Sequence, residues 1–430
     1  MRSKTDSARD DCFAFDGKRL LHHEALGILK DRLPNIATKE QIPLSQAAGR
    51  ILAQQINSNA NVPSYDNSAV DGYAFNFEDY RNQDGKFPVS DRIAAGDTGT
   101  AILQQGTAIR IFTGAKIPDG ADTVAMQEDC TTSAEGDSSE QDHVQIPTGL
   151  KSGANLRKAG EDLKEGEALS SAGSILRAQD LAAIASIGIE QISVHSRLRV
   201  ALVSSGNEII RPGTQIHSGQ VYDSNHFLLL GLLNRMNVEV TDLGILPDSA
   251  KAVEETLSQA AQGHDVILTT GGASLGEEDH LIATLDKLGT RHLWQLAIKP
   301  GRPMSFGQIG NSFVFGLPGN PVAVFVCFLL YARPSLLRLG GADWIEPQRY
   351  PVHAGFDLPS KKPDRREFWR SWLETQEDGS VRAMKFSRDG SALVSGLRQA
   401  TGLLEIAEDV QTVQKGGLLS FIPFSEFGID

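Results

Sequence analysis

A multidomain α/β fold, centred on a parallel sheet with helices on both faces, is predicted by three features of this 430-residue sequence. From Leu198 to Thr270, strand-like and helix-like segments alternate regularly, the pattern that sets successive strands side by side in parallel. From Asn61 to about Leu150, short β-prone stretches sit between Gly, Pro, Asn and Asp turns, which reads as a small β-rich domain. After Gly340-Gly341 the chain shows short strands, Asp-Gly and Gly-Gly turns and no convincing helix, so a C-terminal β domain is expected. At ~100–200 residues per domain the length suits about three domains, with two or four also open.

The elements follow in order. Leu20 to Leu33 carries helical apolar spacing at Leu21, Ala25, Leu26 and Leu29 and is ended by Pro34. A short segment, Leu44 to Ile56, leads to the β-rich stretch, in which Thr107 to Thr113 and Thr123 to Gln127 read as strands and the acidic, Ser- and Gly-rich Thr131 to Asp142 as a solvated loop. A helix is expected over Ala178 to Ile187. Next come a strand over Leu198 to Ser204, a helix over Asn225 to Met236, a strand over Val238 to Leu246, a helix over Ser249 to Gln262 and a strand over Val266 to Thr270. Met304 to Ile309 and Ser312 to Phe315, joined by Gly310-Asn311, read as a hairpin appended to that sheet. Asn320 as N-cap and Pro321 at the first helical position open the most apolar helix of the chain.

Composition narrows the function classes. Apolar residues make up 40% and charged residues 22%, ordinary for a globular protein, and no tandem repeat is visible. A net charge of −13 argues against a broad nucleic-acid surface, so an anionic substrate would need local positive charge. The three cysteines, Cys12, Cys130 and Cys327, form no CxxC site, and their odd number suits a reducing compartment. The longest apolar run, Val322 to Ala332, is about half of the ~20 residues that cross a bilayer, and the first residues lack the apolar core of a signal peptide, so no membrane association and a cytoplasmic location are expected.

In open parallel sheets, ligands bind beyond the carboxyl ends of the strands. There the sequence places Ser205-Gly206-Asn207-Glu208, then Asp248, then Thr269-Thr270-Gly271-Gly272 running on to Asp279. Gly271, Gly272 and Gly276 permit backbone conformations in which successive amides turn toward one anion. Carboxylates repel an anion unless a divalent cation bridges them, so Glu208, Asp248 and Asp279 beside such a loop suggest phosphate chemistry with Mg2+. Lys299 and Arg302, from the next strand end, add fixed positive charge. Taken singly, Asp248 reads better as a helix cap, Glu277 and Glu278 as solvated, and Lys299 with Arg302 as a surface pair; their joint placement on one edge favours a site. The absence of GxGxxG and GxxxxGK[ST] patterns argues against a common dinucleotide fold and a P-loop.

Several separated motifs together resemble the molybdopterin molybdenumtransferase family, called MoeA in bacteria and the E domain of gephyrin in animals. They are Pro63 to Ala74, Thr113-Gly114-Ala115, Gly160-Glu161-Asp162, Ser205 to Glu208, Thr270 to Gly276, Lys299-Pro300-Gly301 and Gly316 to Pro321, so the likeness covers nearly all of the chain from about Leu20. It implies a MogA-like parallel α/β domain (residues 19–38 and 197–345), a mixed linking domain (39–57 and 166–196), an inserted β-rich domain (58–165) and a C-terminal β domain (346–430). It also implies a homodimer whose active sites form between subunits. The substrates would be adenylylated molybdopterin and molybdate, the cofactor Mg2+, the products AMP and molybdenum cofactor, and the later partners molybdoenzyme maturation proteins. Carried over, Asp71, Asp162, Glu208, Asp248, Asp279 and Lys299 would be catalytic, with Glu208, Asp248 and Asp279 on the metal. Thr113, Ser205, Gly271, Gly272, Ser274, Gly276, Arg302, Pro318, Arg365 and Ser391 would bind substrate, while Asp71, Thr113 and Asp162 would reach in from the other subunit. Arg366 adjoins Arg365 and competes with it for that role.

Two departures stand out. The family often has lysine where Arg302 stands, a change that keeps the charge and adds a forked donor. It frequently has aspartate where Asn207 stands, which removes a charge from the edge. The alternatives are an adenylyltransferase resembling the α/β unit alone, against which the flanking domains argue, and a non-catalytic pterin-binding scaffold.

Overall fold

The computed structural model of the chain describes residues 19–97, 101–133, 142–271, 280–388 and 390–429. Its centre is built from α1 (His22–Arg32), β1 (Leu198–Ser205), α2 (Ser224–Leu233), β2 (Val238–Leu246), α3 (Ala250–Gly263), β3 (Val266–Thr270), α4 (His280–Leu288), β4 (Thr290–Trp294), β5 (Ser305–Ile309), β6 (Ser312–Leu317) and a long helix α5 (Pro321–Leu339). The six strands lie in the order β2-β1-β3-β6-β5-β4. Neighbours from β2 to β6 are parallel, and the β5–β6 hairpin and β4 finish the sheet antiparallel. Central β3 is buried at every residue, as a strand covered on both faces must be. On one face α1, α2 and α5 pack Leu29, Leu229, Leu233 and Phe328 against Leu202, Leu268 and Phe315. On the other, α3 and α4 pack Val253, Leu257, Leu281 and Leu285 against Ala201, Ile267 and Val314.

Helix α5 extends well past the apolar run read from the sequence. Its 19 residues have a mean hydropathy of 1.7 and are long and apolar enough to cross a membrane, yet 89% of that stretch is buried inside the protein, where it forms the core under the C-terminal unit. Asn320 is its N-cap by position, although its side chain makes no capping hydrogen bond. The chain passes through a π turn at Phe328–Ala332 before resuming an α-helix at Arg333.

Strand Lys39–Pro43 pairs with Gln191–His195, and Ile56–Asn57 pairs with Ala168–Ser170. Both pairs and helix Ala178–Ser186 share a core of Ile42, Leu52, Leu176, Ile184 and Val194. Because Asn57 and Ala168 are partners, everything between them leaves and returns at one point. That inserted segment forms a six-stranded sheet around Phe75, Phe87, Ile109 and Val124. The stretch read as a solvated loop begins instead with a strand, Thr131–Ser133, which pairs with His143–Gln145; residues 134–141 lie outside the described residues.

The C-terminal unit is a closed barrel of Tyr350–Ala354, Arg366–Thr375, Val381–Lys385, Gly402–Ile406 and Leu418–Pro423, each paired on two sides, and it carries one short helix, Ser395–Gln399, that the sequence did not announce. Ile298–Lys299 of the central unit pairs in parallel with Arg366–Glu367 of the barrel. This pairing fixes the two units side by side, with a cleft between them.

Candidate active site

The cleft has a volume of about 870 Å³ and runs along the carboxyl ends of the central strands, beneath the barrel. Six sequence-chosen residues line it: Glu208, Lys299, Arg302, Pro318, Arg365 and Ser391. Two tight turns shape its walls. At Gly301, φ is +109° and a Cβ would meet Cys327 Sγ at 2.5 Å, so only glycine lets the Lys299-to-Arg302 turn lie on α5. The Ser391 carbonyl accepts a hydrogen bond from the Val322 N–H at 2.9 Å, which ties the barrel's turn to the first turn of α5.

The cations are held by a buried acid. Glu367, 2% exposed, accepts from Arg365 Nε at 2.8 Å and from Trp369 Nε1 at 2.8 Å, and lies 3.7 Å from Lys299 Nζ. One carboxylate thus orients a cation from each unit. Arg366 is occupied elsewhere: it forks onto Glu408 and reaches Glu405, and it is absent from the cleft wall, which favours Arg365 of the two neighbours.

On the acidic side, Asn207 and Asp248 clamp each other. The Asn207 N–H donates to Asp248 Oδ2 and the Asp248 N–H to Asn207 Oδ1, both at 3.1 Å. Asp248 is therefore a strand-end link and not a cap: Ser249 holds the cap position of α3. The clamp leaves Glu208 facing the large cleft, while Ser205, Asp248 and Gly271 line a small separate hollow with His280. At Gly271, φ is +87° and a Cβ would strike the Ser205 carbonyl. Gly272, Ser274, Gly276 and Asp279 lie outside the described residues. Among the described residues no three His, Cys, Asp or Glu side chains lie close enough to hold an ion. Oxygen donors in ones and twos suit Mg2+, which takes one or two carboxylates and fills its shell with substrate phosphate and water.

Asp71 and Thr113 stand together in the inserted unit, away from this cleft. Asp71 Oδ1 accepts from the Thr113 N–H at 2.8 Å and from its hydroxyl at 2.7 Å. The amide first, then the hydroxyl, holds the Asp71 carboxyl below the usual range. Asp162 is exposed, its N–H donating to the Val62 carbonyl at 3.0 Å, and does not line the cleft either.

The sequence reading overlooked Arg19, Asn225, Arg370 and Lys385, all on the cleft wall. Asn225 donates to Thr270 Oγ1 at 2.9 Å and to the Gly319 carbonyl at 2.6 Å, joining β3, α2 and the turn before α5. As one of three polar residues, Ser224, Asn225 and His226, that open an otherwise apolar helix, it was detectable. Arg370 donates to the carbonyls of Leu393 at 2.7 Å, Arg388 at 2.8 Å and Gly390 at 3.1 Å, fixing the Ser391 turn. Only the barrel's closure reveals that role.

Fold and cleft together define a class: a multidomain protein with a MogA-like α/β unit, an inserted β unit and a terminal barrel, with a crevice lined by lysine and arginine between the α/β unit and the barrel. Comparison with known proteins makes this specific. The chain matches the families described as MoeA N-terminal region (domain I and II) over residues 21–188, probable molybdopterin binding domain over 201–338, and MoeA C-terminal region (domain IV) over 352–424. It is 34% identical to the molybdopterin molybdenumtransferase of Haemophilus influenzae, covering 94% of this chain and 98% of the relative. It is 35% identical to that of a Nostoc species, covering 80% and 79%. A crystal structure of the molybdopterin biosynthesis MoeA protein from Pyrococcus horikoshii superposes with a TM-score of 0.77 at 30% identity, covering 94% of this chain and all of that one. The chain belongs to the molybdopterin molybdenumtransferase family.

Proposed function

We propose that this protein carries out the transfer for which its family is named: it takes adenylylated molybdopterin and molybdate, cleaves the phosphoanhydride in the presence of Mg2+, and releases AMP and molybdenum cofactor. The observation that carries this reading is the cleft in which Lys299 and Arg302 of one unit and Arg365 of another converge opposite Glu208. Its volume of about 870 Å³ suits a ligand with two bulky ends. The cations hold the phosphates and the tetrahedral molybdate dianion by charge and, for the arginines, by forked hydrogen bonds. Pro318 and Ser391 shape the substrate's path along the cleft, and the glycine loop that begins at Gly271 would anchor the pterin's phosphate side. Mg2+ held by Glu208, the acid that faces the cleft, and completed by substrate phosphate and water would neutralise the pyrophosphate and polarise the bond to the adenylate.

The complete site is assigned to a homodimer, with Asp71, Thr113 and Asp162 entering from the second copy. Support comes from position: a pre-oriented, half-buried Asp71 lies on the inserted unit and does not line its own chain's cleft. The cytoplasm is the compartment we assign, since Cys130 and Cys327 are free thiols. Incubating the protein with adenylylated molybdopterin, Mg2+ and molybdate should release AMP and yield a product that reconstitutes an apo-molybdoenzyme. No AMP release under these conditions would refute the reading.

A further inference from the structure

Glu367 holds two of the cleft's cations without lining the cleft. It is 2% exposed and absent from the cleft wall, and its two oxygens divide the work. Oε1 takes one edge of the Arg365 guanidinium, from Nε at 2.8 Å and Nη2 at 2.7 Å. Oε2 takes the Trp369 indole N–H at 2.8 Å and stands 3.7 Å from Lys299 Nζ. That edge of Arg365 is thereby spent, so a ligand in the cleft can meet only the N–H groups of Nη1 and the outer side of Nη2. The backbone is braced as well. Buried Lys361 donates to the Arg365 carbonyl at 2.7 Å, the Arg366 N–H donates to the Ala297 carbonyl at 2.9 Å, and Asp364, a non-glycine residue, turns the chain just before at a φ of +59°.

We propose that Glu367 is a positioning residue for the transfer: it aims Arg365 of the barrel and Lys299 of the α/β unit at one anion, and as a fixed negative charge behind them it keeps that anion from being held too tightly. This rests on the reaction proposed above. A glutamine in its place can satisfy one side only, since whichever way its amide turns, the NH2 group faces donors. The cations then lose their fixed aim, and a misplacement of about 1 Å costs on the order of 100-fold in rate. Loss of the negative charge, by contrast, makes the cleft more attractive to a dianion. Rate and affinity thus part company, whereas damage to packing weakens both.

The test follows molybdate binding by calorimetry and AMP release side by side on the full chain. Glu367→Gln should release AMP about 100-fold more slowly and bind molybdate with the parental affinity or up to about 10-fold more tightly. Glu367→Asp keeps the charge and withdraws it by one methylene, so it should recover the rate to within about 10-fold of the parent at parental molybdate affinity. Should the glutamine variant fail to fold, the aspartate variant carries the test. Parental AMP release by the folded glutamine variant or, in its place, the aspartate variant would overturn the proposal, as would molybdate bound about 10-fold more weakly by either. A parent that binds molybdate but releases no AMP would count against the reaction and not against Glu367, whose effect on affinity is read without turnover.

Discussion

His22 should make the stability of the central unit fall with acid, and replacing it should remove that dependence. It sits on α1, 2% exposed, with Nδ1 2.7 Å from the Tyr331 hydroxyl and its ring edge-on to Phe368, a cleft residue. Burial first, then the Arg366 charge, pushes its pKa from 6.5 down to about 4. Between those values the unfolded chain takes up a proton that the folded chain refuses. The stability is therefore fully present above pH ~6.5 and is lost as pH falls toward about 4. At ~1.4 kcal/mol per pH unit, the loss between pH 7.5 and 5.0 is about 2 kcal/mol, and over the whole window about 3 kcal/mol. His22→Gln keeps a hydrogen-bonding group and does not titrate. Urea unfolding of both proteins at the two pH values measures the difference: the parent should lose about 2 kcal/mol more than the variant. Equal losses would refute the reasoning.

Other substitutions separate binding from folding. Arg302→Ala should lower AMP release about 100-fold with little change in the unfolding midpoint, as expected for a removed anion contact on an exposed side chain that pairs with no carboxylate among the described residues. Arg366→Ala should do the reverse, costing about 2 kcal/mol of stability because buried Glu405 keeps only Arg349 and Glu408 loses its forked partner, which chemical denaturation would report. Gly301→Ala should destabilise by about 1–3 kcal/mol and displace Lys299, seen as a raised KM, since its Cβ meets Cys327 Sγ at a +109° φ. Mixing Asp71→Asn with Lys299→Ala, each inactive alone, should restore about a quarter of parental activity through random pairing into dimers; no recovery would place the whole site within one chain.

What the sequence disclosed and withheld follows from range. Strands β1 and β3 were legible within a residue because a buried parallel strand is apolar along most of its length, and edge strand β2, exposed at Glu239, Thr241 and Asp242, was legible from the apolar residues that alternate with them. Edge strand β4, Thr290–Trp294, was missed because Thr, Arg and His break that signal. The barrel helix Ser395–Gln399 is five residues long and has no periodicity to read. In the site, Glu208, Lys299 and Arg302 were legible as residues following strand ends. Glu367 and Arg370 were not, since both lie within a barrel strand: pairing with Ile298–Lys299 brings buried Glu367 near Lys299, and barrel closure brings Arg370 to the cleft. Nor could spacing reveal that Asn207 spends its amide on Asp248, an exchange that fixes the acidic edge without the charge it lacks.

The most direct measurement is a crystal structure of the dimer with AMP, Mg2+ and molybdate. The phosphate and the molybdate should lie between Lys299, Arg302 and Arg365, with Mg2+ on the Glu208 side. Density for both anions in the Ser205, Asp248 and Gly271 hollow instead, with the cationic cleft holding only solvent, would contradict the account.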